Sequence, residues 1–172
     1  MAVLFRGEIW VDYRFAYLQP DDDDPPDDFG LDGQRNGLCG AAIPGVLSLT
    51  FGLHTGYVPI TVEALETRPE LDTEWEEIVE VSFAATRTDY VLAPFEDFYP
   101  LILPFAGQYR VRFNASGMDR ANDADDRKKG RRVLDRYLLQ LWPDAEAQPD
   151  AILRQTSESA AYWHRVAQGL EK

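Results

Sequence analysis

Apolar and polar residues alternate along most of the chain up to Trp142, and this period of two predicts β-strands. The first predicted strand has Ile9, Val11, Tyr13 and Phe15 on one face and continues to Tyr17. Further strands are predicted over 46–53, 58–64, 75–83, 88–93, 101–105, 109–115 and 134–142. Short strands separated by Gly and Pro predict a mainly all-β fold, an antiparallel β-sandwich or jelly roll.

Three segments depart from this alternation. Residues 19–45 and 116–132 are polar and lack periodicity, so both are predicted to be long loops, the second too charged to pack. Near 157–170 the apolar residues recur every three or four positions, which predicts a short C-terminal helix capped by Thr156 or Ser157. No repeat or boundary divides the chain, so residues 1–172 are predicted to form a single domain.

The chain carries a large negative net charge. Thirty Asp and Glu stand against 17 Lys and Arg, for a formal net charge of −13. Such a field repels nucleic acids and anionic membranes and steers basic molecules toward the protein. We therefore expect a basic protein partner, with no direct contact to nucleic acid or membrane.

The acids are concentrated in two blocks. The first is Asp21–Asp24, continued beyond two prolines by Asp27 and Asp28; the prolines and the mutual repulsion oppose regular structure there. The second flanks and enters predicted strands, with Arg68 as its one local countercharge. Strands hold side chains at fixed spacing, so these acids are predicted to present a rigid anionic surface. The predicted partner-binding residues are Glu63, Glu66, Glu70, Asp72, Glu74, Glu76, Glu77 and Glu80, with Asp21, Asp22, Asp23 and Asp24.

No pattern of residues predicts a catalytic, metal or cofactor site. His54 and His164 have no neighbouring ligand residues, and no nucleophile elbow is present. Glycines between Gly30 and Gly45 match neither a P-loop nor a dinucleotide fingerprint. The acids between Asp119 and Asp126 lack the central Gly and the final Glu of a calcium loop. The sequence therefore predicts no catalytic residue, no bound metal ion and no cofactor.

Cys39 is the single cysteine, which excludes an internal disulfide and fits a reducing compartment. The first eight residues are interrupted by charge too early for a signal peptide, and no stretch has the roughly 20 apolar residues of a membrane span. The expected location is cytoplasmic.

Two stretches carry a resemblance to a known family. Residues 75–83 (WEEIVEVSF) and 103–112 (LPFAGQYRVR) resemble the competence protein J type of bacterial nuclease inhibitor and related immunity proteins. The segments 137–143 and 161–164 are similar to those of uncharacterised actinobacterial proteins. The resemblance covers under half of the chain. It implies a small acidic β-rich protein that binds and restrains a nuclease, and it assigns no binding residue.

The leading hypothesis is a non-enzymatic acidic binding protein, an inhibitor or immunity factor for a basic partner such as a nuclease. One alternative is a ligand-binding or enzymatic jelly roll, with a concave interior lined by His54, Tyr and Trp. Another is a structural module that forms homodimers through edge strands.

Overall fold

The computed structural model describes all 172 residues, which form twelve strands and two helices. In chain order they are β1 (Ala2–Val11), β2 (Phe15–Pro20), β3 (Cys39–Gly40), β4 (Leu47–Thr50), β5 (Thr55–Ala64), β6 (Glu77–Ala85), β7 (Asp89–Ala93), β8 (Tyr99–Ile102), β9 (Gly107–Ser116), α1 (Met118–Ala124), β10 (Asp126–Arg127), β11 (Arg136–Pro143), β12 (Ala151–Arg154) and α2 (Glu158–Ala167). The prediction of a mainly antiparallel β-sandwich with a short C-terminal helix is confirmed.

The strands form two sheets. The larger has seven strands in the order β1-β5-β11-β9-β6-β12, with β10 paired to the start of β5. The smaller has five strands in the order β3-β4-β2-β7-β8. Most pairs are antiparallel, but β11 and β10 each run parallel to β5. The central strand β11 therefore lies between β5 and β9, although it comes late in the chain.

One cluster of 31 buried residues, drawn from both sheets, fills the space between them. The inner faces carry the alternating apolar residues that the pattern predicts, such as Val58, Ile60 and Val62 of β5. Phe51 reaches across to Phe113, and Phe83 reaches across to Tyr90, both edge to face. Aromatic side chains bury a large area each and favour this geometry, so they contribute much of the core.

The prediction of one strand from Ile9 to Tyr17 is wrong. Tyr13 and Arg14 have φ of 55° and 72°, and they form the tip of a tight turn that Phe15 closes by donating its N–H to the Asp12 carbonyl. Two successive positive φ values are those of a type I′ turn, in which alternation continues while the chain reverses. The turn sends β1 into the larger sheet and β2 into the smaller one.

The prediction that 116–132 is a loop too charged to pack is also wrong. Met118 and Ala121 are fully buried on α1, which packs so closely on Gly52 that a Cβ there would lie 2.5 Å from the Met118 carbonyl oxygen. Residues 19–45 form a long loop broken only by the end of β2 and by β3. The C-terminal helix is confirmed, with Ser157 as its N-cap, and β12 is a strand that the alternation does not predict.

Candidate protein-docking surface

Residues 65–76, the acidic crossover, connect β5 to β6 and pass over the outer faces of β11 and β9. The backbone of the crossover is attached to the strands beneath it. Leu65 donates its N–H to the Leu141 carbonyl at 2.8 Å, and the Arg112 guanidinium donates to the Glu70 carbonyl at 3.0 Å. These contacts hold the segment against the sheet as a fixed surface.

Beneath the crossover a single carboxylate is surrounded by arginines. Glu80 of β6 lies directly opposite Arg112 of β9, and their side chains are 4% and 1% exposed. Arg112 approaches Glu80 Oε1 with Nη2 at 2.9 Å and Nε at 3.0 Å. Arg110 Nε approaches Oε2 at 3.4 Å, and Arg68 of the crossover approaches Oε1 at 3.2 Å.

This arginine–glutamate cluster also anchors a second loop. Arg110 donates to the carbonyls of Gln148 and Pro149, at 3.2 and 3.0 Å, and so fixes the segment before β12. Arg112 further lies 5.4 Å from the centre of the Trp142 ring. A buried charge requires such pairing, because an unpaired one would be strongly destabilising.

Two of the predicted partner-binding residues are therefore interior residues. Glu80 is 3% exposed and its charge is compensated inside the protein, contrary to the expectation that Arg68 is the one countercharge. Glu77 is fully buried, and its carboxylate accepts hydrogen bonds from the N–H groups of Thr156 and Ser157 at the start of α2. Burial raises the pKa of Glu77, while these hydrogen bonds lower it by less. Both residues stabilise the fold instead of facing a partner.

The other acids of the second block do lie at the surface. Glu66, Glu70, Asp72 and Glu74 are exposed on the crossover. At its ends Glu63 and Glu76 are half-buried, where Glu63 accepts from Gln140 Nε2 and Glu76 accepts from the Gly117 N–H, each at 2.8 Å. Only Glu8, Glu80 and Glu171 of the 30 acids form ion pairs within the chain, so the crossover acids keep their full charge toward solvent.

Trp75 secures the end of the crossover. Its ring is 7% exposed and lies 4.1 Å from the Arg136 guanidinium carbon, a cation–π contact. The alternation predicts that Trp75 shares the core face of Val79 and Val81, and this is wrong: Trp75 lies outside the core cluster and is buried against Arg136 on the outer side of the larger sheet. Trp75 therefore fixes the position of the neighbouring acids and offers little surface of its own to a partner.

The Asp21–Asp24 block belongs to a different part of the molecule. Asp21 donates its N–H to the Asp89 carbonyl at 3.0 Å and accepts from Arg87 through its own carbonyl, which anchors it at the turn between β6 and β7. Asp22, Asp23 and Asp24 are exposed there, beside the smaller sheet. The two acidic blocks are thus attached to different sheets and do not form one continuous patch.

A cleft of about 850 Å³ lies beside the two helices. It is bordered by the Tyr13–Arg14 turn, by His54 and by residues of both helices. Glu76 holds the start of α1 through Gly117, and Asp119 of α1 accepts from the Glu158 and Ser159 N–H groups of α2 at 3.1 and 2.9 Å. Burial alone would raise the pKa of Asp119, but these hydrogen bonds outweigh it and leave that pKa lowered. Hydrogen bonds therefore link the end of the crossover to α1, and α1 to α2, and residues of both helices border the cleft.

Among the described residues no group of three or more His, Cys, Asp and Glu is arranged to hold a metal ion. Neither helix combines the length and the apolar character that crossing a membrane requires. His164, which has no ligand neighbours in the sequence, is 3% exposed and accepts the Gly37 N–H at Nδ1, where it joins α2 to the long loop. Its burial lowers its pKa to about 4.

No protein-family model matches the sequence, and no curated protein matches it significantly. Two solved structures are similar in fold. One is ComJ, an inhibitor of the DNA degrading activity of NucA, from Bacillus subtilis, with 16% identity, a TM-score of 0.54, and coverage of 83% of this chain and 98% of that chain. The other is crocagin biosynthetic gene J, with 13% identity, a TM-score of 0.54, and coverage of 84% of this chain and 99% of that chain.

This chain shares its fold with ComJ. The resemblance to the competence protein J type is confirmed at that level. The two stretches that carry it in the sequence lie on paired strands, since 75–83 leads into β6 and 103–112 leads into β9. These are the strands that hold the arginine–glutamate cluster beneath the acidic crossover.

Proposed function

We propose that this protein is a non-enzymatic inhibitor or immunity factor that docks onto a basic protein, and that the partner is a nuclease. The observation that carries the proposal is the acidic crossover, where four exposed and unpaired carboxylates are held on a backbone fixed from below. A nuclease binds the phosphate backbone with a cationic groove, to which such a surface is complementary. The fold similarity to an inhibitor of a nuclease supports the same proposal.

The crossover acids have distinct roles in this proposal. Glu66, Glu70, Asp72 and Glu74 contact the partner directly, and Glu63 and Glu76 extend the anionic surface at its two ends. Because the backbone is fixed beforehand, docking costs little conformational entropy. The Asp21–Asp24 block, on the other sheet, acts through the long-range field that accelerates encounter.

The test begins with affinity capture from the host at low salt, followed by an assay of DNA degradation by the captured protein. We expect a basic protein whose DNA degradation is suppressed when this chain is added, with weaker binding at high salt. Failure to capture a basic protein at low salt would contradict the proposal, as would a captured nuclease that this chain leaves fully active.

A matched pair of variants then locates the surface. The crossover variant carries Glu70→Gln, Asp72→Asn and Glu74→Gln, and the control carries Asp22→Asn, Asp23→Asn and Asp24→Asn, so both lose the same charge. We expect the crossover variant to dissociate faster and to associate about tenfold more slowly, because contact and steering are both lost. The control should lose association rate only. Equal effects on dissociation would remove the crossover as the contact surface.

A further inference from the structure

The cleft beside the two helices has the features of a binding site for one cationic side chain. Its rim includes the aromatic rings of Tyr13, Tyr162 and Trp163, and its volume of about 850 Å³ exceeds what a single side chain needs. The concave interior lined by His54, Tyr and Trp that the ligand-binding alternative requires is not found, because the core cluster fills the interior; these residue types border a surface cleft instead.

Two of the three carboxylates in the cleft are free, while Asp119 is hydrogen-bonded to α2 and both arginines of the cleft have partners. Asp123 and Glu158 border the cleft, are exposed and form no ion pair within the chain. By contrast the Arg14 guanidinium donates to the Gly52 carbonyl, and Arg165 pairs with Glu171 at 3.2 Å. The cleft lining carries three carboxylates against two guanidinium groups, one of which is paired with Glu171, so its net charge is negative.

The Tyr13–Arg14 turn brings an aromatic ring to the mouth of this cleft. Tyr13 is 63% exposed, and its ring contacts His54 and Phe95 edge to face at centroid distances of 5.5 and 6.1 Å. A type I′ turn favours Asn and Gly at its two central positions, so a Tyr there stores strain without adding to the core. The part of Tyr13 that is available for binding is its exposed aromatic ring.

We propose that the cleft receives an arginine side chain of the basic partner, an inference that rests on the proposed function. Guanidinium groups stack on aromatic rings and pair with carboxylates through two parallel hydrogen bonds, which a lysine ammonium does not do. Tyr13 and Tyr162 supply the rings, and Asp123 and Glu158 supply the carboxylates. The crossover, linked to the cleft through Glu76 and Gly117, covers the adjoining basic surface of the partner.

The test uses Nα-acetyl-arginine amide as the probe, titrated into ¹⁵N-labelled protein and followed by NMR chemical shifts. We expect saturable shifts around the cleft with a dissociation constant on the order of millimolar, because one side chain supplies only a few contacts. Nα-acetyl-citrulline amide has nearly the same shape without the charge, and it should give no saturable shift. Equal binding of both probes, or no saturable shift from either, overturns the proposal.

Two variants establish the site. Tyr13→Gly keeps the positive φ of the turn and removes the ring, and Asp123→Asn removes one charge at constant shape. Each should weaken arginine binding by about fivefold or more. Unchanged binding in both overturns the proposal.

The crossover variant described above serves as the control, because it should bind the probe like the wild type while binding the basic partner less well. Loss of partner binding with intact probe binding separates the two surfaces. If no basic partner exists but the probe binds the cleft, the proposed function and the assignment to that partner both fail, and only the affinity of the cleft for arginine stands. If the partner binds through the crossover but the probe does not bind, the arginine site alone fails.

Discussion

Replacing Glu80 by Gln tests whether the arginine–glutamate cluster supports the acidic crossover. The substitution preserves the shape of the side chain but removes the only carboxylate near Arg110 and Arg112, whose side chains are 5% and 1% exposed. Breaking a buried ion pair from one side costs about 3–5 kcal/mol, because the remaining charge stays buried without a partner. The Arg68 pair contributes at most about 1 kcal/mol of this, since that side chain is 57% exposed.

A loss of this size is a large fraction of the stability of an ordinary domain, which is about 5–15 kcal/mol. For a chain of this length, each kcal/mol lowers the melting temperature by about 2–4 °C, so Glu80→Gln should lower it by roughly 6–20 °C. Urea unfolding followed by circular dichroism gives the free energy directly. Arg68→Ala is the control and should change it by no more than about 1 kcal/mol.

The same variant should loosen the crossover, because Arg112 also holds the Glu70 carbonyl. Under native conditions we expect a glutamate-specific protease to cleave Glu80→Gln faster after Glu70 and Glu74 than it cleaves the wild type. A variant within about 1 kcal/mol of wild type, with unchanged cleavage, would show that the cluster neither stabilises the fold nor braces the crossover. Arg68→Ala as damaging as Glu80→Gln would refute the distinction between buried and exposed pairs.

Three further substitutions probe features outside the cluster. Tyr13→Gly should raise the free energy of unfolding by up to about 1 kcal/mol, because relief of the left-handed conformation exceeds the added chain entropy; a loss measured by urea unfolding would contradict this. The pKa of His164 is lowered to about 4 from 6.5, so the free energy of unfolding of the wild type should fall by up to about 3 kcal/mol relative to His164→Asn as pH falls through that range. A difference between the two proteins that stays constant with pH in urea unfolding would refute this. Burial raises the pKa of Asp135 from 3.8 to about 6, so the pH dependence has the opposite sign there. The free energy of unfolding of the wild type should rise by up to about 3 kcal/mol relative to Asp135→Asn as pH falls from 6 to 3.8. A relative decrease in the melting temperature of the wild type across that range would contradict this.

The sequence predicts the inner faces of the strands well, because burial on one face imposes a period of two that Val79, Val81 and Phe83 display directly. Prediction from the sequence fails where the structure of a segment depends on tertiary contacts that its pattern of polar and apolar residues does not show. Alternation continues unbroken through Tyr13, since a two-residue turn reverses the chain without disturbing the spacing of apolar residues. The packing of α1 against Gly52 likewise depends on the far end of β4 and cannot be seen locally.

The candidate site is predictable in part. A run of acids between strands indicates an anionic segment, and the exposed Glu66, Glu70, Asp72 and Glu74 lie where that indicates. The outward positions of Glu80, Arg110 and Arg112 on predicted neighbouring strands contain a usable signal, because opposite charges facing each other across strands attract. Their burial could not be predicted, since it requires knowing that the crossover covers this face of the sheet.

The late position of β11 in the chain has a consequence for how the protein is made. While a ribosome is still synthesising residues before Arg136, the strands β5 and β9 have no neighbour to join them, and the larger sheet exists only as two separate halves. Insertion of one strand between two waiting partners is a non-local event, which slows folding and leaves unpaired strand edges open to other chains in the meantime. The larger sheet of this molecule therefore closes only after β11 has been synthesised.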